Sequence, residues 1–186
     1  LTLANVSQDI NVNDPAVVPF CVQGEVVLSA GVWLDGPYDP QQSLMSDALR
    51  VSGLVPITEP YTALGYDQLG GGGESTTVQV LSVTGVNAIV DWIRLELRSG
   101  SSSGKVVATR QALVQRDGDI VDVDGVSPVR FLNLLTNDYH VAVRHRNHLG
   151  AMTASPVALS STNTIIDFTA PGFTAPTPRL ESGPFV

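Results

Sequence analysis

Apolar residues in this chain come in short runs rich in valine, isoleucine and threonine, each closed by Gly, Pro, Asn, Asp or Ser. Runs of that length and β-branched content predict strands rather than helices. The pattern places strands at Gly24–Leu34, Thr76–Val83, Ala88–Arg98, Val106–Val114 and Ile120–Val123. It places more at Val129–Leu132, His140–Arg146, Val157–Leu159 and Thr164–Phe168. Ile89–Leu97 alternates, with Ile89, Asp91, Ile93, Leu95 and Leu97 on one side and Val90, Trp92, Arg94 and Glu96 on the other. Asp91 then lies on an apolar face and requires a partner, for which Arg94, Arg98 and Arg110 are available.

Turn signals at Ser99–Gly104, Asp117–Asp119, Asp124-Gly125 and Asn137-Asp138 punctuate these runs roughly every ten residues. The expected fold is therefore all-β, an antiparallel β-sandwich of jelly-roll or immunoglobulin-like type, over residues 24–169. The one helical candidate is Ser43–Arg50, capped at Ser43 or Ser46. Residues 52–75, with Pro56, Pro60 and the Gly70–Gly73 run, read as a long irregular loop, either functional or packed over the core. Residues 1–23 form an N-terminal arm in which Leu1–Asn13 has the pattern of an inter-subunit strand, closed by Asp14-Pro15. Residues 170–186 form a Pro-rich C-terminal arm with Pro171, Pro176, Pro178 and Pro184, which opposes helix formation.

Charge narrows the function. Ten Lys and Arg against 18 Asp and Glu give a net charge of -8, which excludes the basic surface a nucleic-acid binder needs. Lys105 is the only lysine; the other nine basic residues are arginines, whose planar bidentate bonding suits fixed internal pairs. A single cysteine, Cys21, allows neither an internal disulfide nor a multi-thiolate zinc site. No apolar run approaches the roughly 20 residues of a membrane-spanning helix.

Few residues suggest chemistry. Asp117, Asp119, Asp122 and Asp124 lie within RDGDIVDVDG, whose oxygens and glycines suit either calcium or a hairpin braced by arginine. Their spacing is not that of an EF-hand. His145 and His148, with His140 nearby, read as a weak zinc signal or as side chains paired to buried carboxylates such as Asp91. Gly70–Gly73 lacks the Lys-Ser/Thr of a phosphate loop, and no G-x-S-x-G or H-E-x-x-H occurs. Tyr61 and Tyr66 in the long loop are candidates for an aromatic sugar platform, or for packing. No enzymatic motif emerges, and the chain reads as a non-enzyme.

The order LDGPYDPQQSLMSDALR, PITEPYTALGY, GGGE, VTGVNAIVDWIRLELR, VVATRQALVQRDGDIVDVDGVSPVRF, YHVAVRHRNHLGAMT carries a resemblance over about Leu34–Phe168. It resembles a recurring β-module of large secreted or surface proteins of bacteria, many from Bacteroidota, of haemagglutinin-like type. The resemblance implies an all-β module, secretion and a cell-surface or matrix setting; it brings no catalytic residues. With the arms, the expectation is a secreted structural subunit that assembles with copies of itself into a filament or surface layer. Leu1, Leu3, Val6 and Ile10, and Phe173 and Phe185, are the apolar residues the arms offer for that assembly. The alternative is an extracellular module binding glycans or an adhesion partner, with calcium as the one cofactor the acids admit.

Overall fold

The computed structural model describes residues 24–169. The arm residues Leu1, Leu3, Val6, Ile10, Phe173 and Phe185 lie outside them. The chain is mostly antiparallel β-structure, as the alternating runs predict. Its strands are β1 (Glu25–Gly31), β2 (Tyr38–Asp39), β3 (Leu44–Met45), β4 (Ile89–Ser99), β5 (Ser102–Gln115) and β6 (Asp119–Val121). After these come β7 (Val129–Leu132), β8 (Asn137–His145), β9 (His148–Met152), β10 (Val157–Leu159) and β11 (Thr164–Asp167). β2 and β3 form a small hairpin, and the other nine strands share one sheet in the order β10-β8-β4-β5-β6-β1-β11, with β7 on β1 and β9 on β8.

A single sheet supplies most of the main core, joined by Leu34 and by Met45 of β3, so it curls over itself in a sandwich-like manner. Val26, Leu28 and Ala30 of β1, Ile93, Leu95 and Leu97 of β4, and Val141 and Val143 of β8 meet there. Val129 and Phe131 of β7, Leu159 of β10 and Ile166 of β11 complete it. The two ends of the sheet are stitched by one stretch of chain. β10 pairs antiparallel with β8, and β11, a few residues on, pairs parallel with β1. Between them Val27 N–H donates to Ser160 O at 2.9 Å.

A second, smaller core lies outside the sheet, where Trp92 and Leu113 meet Val55 and Tyr61 of the long loop. Ile89 joins it because β4 carries a bulge between Ile89 and Asp91. The extra residue breaks the strict alternation, so Ile89 turns outward and Val90 into the main core.

Two expected elements differ. Thr76–Val83 is not a strand: Val78–Leu81 forms a single helical turn, α2, whose N-cap Thr77 accepts a hydrogen bond from Val80 N–H. A strand would send Val80 and Leu81 to opposite faces, whereas both pack on the second core. In Ser43–Arg50 the helix shrinks to α1 (Ala48–Val51), because Leu44–Met45 pairs with Tyr38–Asp39.

Candidate functional site

Among the described residues, β9, held by β8, and β11, held by β1, are two of the strands that pair on one side only. β9 exists because Arg146 and Asn147 turn the chain back on β8 as a tight hairpin, with His145 opposite His148 and Ala142 opposite Met152. Its outward Leu149 is 77% exposed, and Ile165 of β11 is also 77% exposed. An unpaired strand edge with an exposed aliphatic side chain is a template for another strand, and a bulge interrupts the pairing of β9 with β8 between Val143 and His145. Neither strand carries an arginine or lysine that would guard it.

Beneath the hairpin lies a buried polar chain. Asp91, 1% exposed, faces Val114 of the main core across the β4–β5 ladder. Arg146 clamps its carboxylate with two bonds of 2.9 and 2.7 Å, and His145 Nε2 approaches Oδ2 at 3.2 Å. Its partners are thus Arg146 and His145, not Arg94, Arg98 or Arg110, since β4 runs beside β8 and the bulge tips Asp91 toward the hairpin. Burial alone would raise the pKa of Asp91; the bond from His145 and the Arg146 charge outweigh it and hold the group below the usual carboxylate range. His148 Nδ1 sits 2.8 Å from His145 Nδ1, and Gly36 N–H reaches His148 Nε2 at 3.4 Å. Of the three histidines, His145 is the one paired to a buried carboxylate, while His140 Nδ1 meets Thr153 O at 3.0 Å.

A second buried carboxylate, Glu96, lies on the outer face of β4. Arg94 Nε bonds it at 3.0 Å, Arg98 through Nε and a terminal nitrogen at 3.2 and 2.7 Å, and Arg144 at 3.4 Å. At 2% exposure, burial pushes its pKa up, and the Arg98 and Arg94 bonds with the Arg144 charge bring it below the ordinary value. Arg94 also bonds Gln68 Oε1 and Asp67 O, which pins the long loop over this face.

The four aspartates of RDGDIVDVDG do not converge. Asp122 binds Arg110 at 2.8 Å, and Asp124 accepts from Val126 N–H, Ser127 N–H and Ser127 Oγ to close a turn. Asp117 accepts from Asp119 N–H. Asp119 and Asp167 flank Gly31 across three neighbouring strands, at a shallow cleft of about 300 Å³. Burial, then the charges of Asp117 and Asp167, raise the pKa of Asp119. Among the described residues no three His, Cys, Asp or Glu side chains are arranged to hold a metal ion.

The aromatic platform is not displayed either. Tyr61 is 0% exposed, its hydroxyl donating to Trp92 O at 3.0 Å, and Tyr66 packs edge-on against it with ring centroids 5.3 Å apart. Glu59 is what shapes this loop. It accepts from Tyr61 N–H and Gly73 N–H, and from the Thr62 hydroxyl. The spacing E-P-Y-T is the signal that would have found it, an acid accepting from the backbone two and three residues on. No helix of the described residues is long and apolar enough to cross a membrane. Compared with family models, curated proteins and solved structures, the chain matches none of them.

Proposed function

We propose that this chain is a secreted structural subunit that joins copies of itself into a filament or layer, a terminal arm of one copy adding a strand to the open edge of the next. The observation that carries the reading is β9, paired on one side only among the described residues, with Leu149 projecting outward. Strand addition draws its affinity from main-chain bonds and its specificity from alternate side chains. Leu1–Asn13 contains no proline, whereas Pro15 and Pro19 stand between it and β1 and have no N–H to give a ladder. Residues 1–23 can span roughly 75 Å when extended, about twice the width of a folded unit of this size. A head-to-tail contact of this kind repeats without closing and so grows a filament. The glycan-binding alternative loses one of its two tyrosines, since Tyr61 is buried.

Deleting residues 1–13 tests the reading by light scattering and negative-stain electron microscopy. The full chain forms polymers and the truncated chain is monomeric with an unchanged circular dichroism spectrum. A full chain that stays monomeric, or identical polymers after deletion, refutes it.

A further inference from the structure

The polar chain under the β8–β9 hairpin has only one arrangement of protons. Asp91, held ionised by the Arg146 clamp, can only accept, so His145 Nε2 carries a hydrogen and donates to it. The Nδ1 of His145 is an acceptor, because Asn147 N–H donates to it at 3.2 Å. His148 Nδ1, 2.8 Å from the same atom, has to be the protonated nitrogen of its ring. That leaves His148 Nε2 as the acceptor facing Gly36 N–H at 3.4 Å. Every bond follows from the previous one, from a carboxylate 1% exposed to the loop that follows β1.

An added proton has no place in this chain. On His148 Nε2 it faces the Gly36 N–H, donor against donor. On His145 Nδ1 it faces both the Asn147 N–H and the His148 Nδ1 hydrogen; if His148 changes tautomer to accept it, the collision moves to Gly36. The titratable and charged groups around His148 come from three directions: Asp91 on β4, His145 and Arg146 on the hairpin, and Asp35 in the loop. Burial, the largest cause, outweighs the pull of Asp35 and Asp91 and depresses its pKa below 6.5.

We propose that His145 and His148 form a proton-operated latch between the β8–β9 hairpin and the Gly36 loop: closed while both rings are neutral, released when one is protonated. Because His148 is the first residue of β9, release loosens the start of the open edge and weakens strand addition there; this consequence rests on the assembly reading above. Since the folded value lies below 6.5, the latch stabilises the hairpin fully above about pH 6.5 and loses that contribution as the pH falls below it.

Long-range proton–nitrogen spectra of the 15N-labelled full chain between pH 8 and 5 test the latch. At pH 8 His145 is the Nε2–H tautomer and His148 the Nδ1–H tautomer. As His148 titrates, amide exchange protection at Gly36 and Asn147 drops at least about threefold with the same midpoint. In His148→Phe the Gly36 protection is already lost at pH 8 and does not change with pH. A His148 in the Nε2–H tautomer, or Gly36 protection that ignores its titration, overturns the latch. These readings come from the domain alone, so a chain monomeric at every pH refutes the assembly reading and leaves the latch standing. Polymers that form at pH 7.5 and are equally abundant at pH 5.5 refute its control of the edge.

Discussion

Glu96 sits among three guanidinium groups with almost no access to water, and a carboxylate in that position holds its neighbours as firmly as they hold it. Removing one partner from a buried ionic cluster costs about 3–5 kcal/mol, because the rest are left desolvated without compensation. Glu96→Gln is therefore expected to lower stability by about 3 kcal/mol in urea unfolding; a change within error would show that the arginines find water instead. The folded pKa lies below the ordinary 4.5, so this contribution is present above about pH 4.5 and fades as the pH falls below it. The variant accordingly shows a shallower acid dependence than the parent chain. Scarcity of lysine made this bracing legible: each described arginine faces an acidic side chain within salt-bridge reach. The identity of each pair was not legible. Asp91 met Arg146 and His145, 55 and 54 residues away in sequence, because of a bulge and a strand register that alternation alone does not encode.

Among the elements, the long strands were readable because they satisfy both periodicity and β-branched content, as in Ile89–Ser99. β9 was not, since HLGAM alternates poorly and contains a glycine; it is a strand because a two-residue turn delivers it to β8. Thr76–Val83 misled for the opposite reason. Its valines suit a strand, yet the capping Thr77 and the second core's need for Val80 and Leu81 side by side favour one helical turn. β9 is also where the proposed assembly is most easily probed. Leu149 is solvent-facing, so Leu149→Lys is expected to change folding stability by no more than about 0.5 kcal/mol. The same charge on an open edge blocks strand addition, so polymer mass in light scattering falls. Unaltered polymers would move the contact to another edge, with β11 and its exposed Ile165 next in line.

At the scale of the whole molecule, the Val157–Asp167 stretch joins the first strand of the domain to β8 and makes one curled sheet out of elements far apart in sequence. The all-β fold followed from the spacing of apolar runs and turns. The stitching did not, because Leu28 opposite Thr164 and Val157 opposite Tyr139 are long-range pairings with no local signal. β1 follows the N-terminal arm and β11 precedes the C-terminal arm, and the two strands lie side by side and parallel from Leu28 to Gly31 and from Thr164 to Asp167. A pull applied through both arms drags β1 and β11 past each other along their own axes. Their hydrogen bonds are loaded together in shear, instead of being peeled apart one at a time. In force spectroscopy with handles at the two termini, the domain is expected to yield in a single abrupt event. Val27→Pro, which deletes the N–H donated to Ser160, should lower the rupture force; a gradual extension in the parent chain would show that tension travels another route. A subunit strung between neighbours by its ends would thus meet mechanical load with its strongest direction.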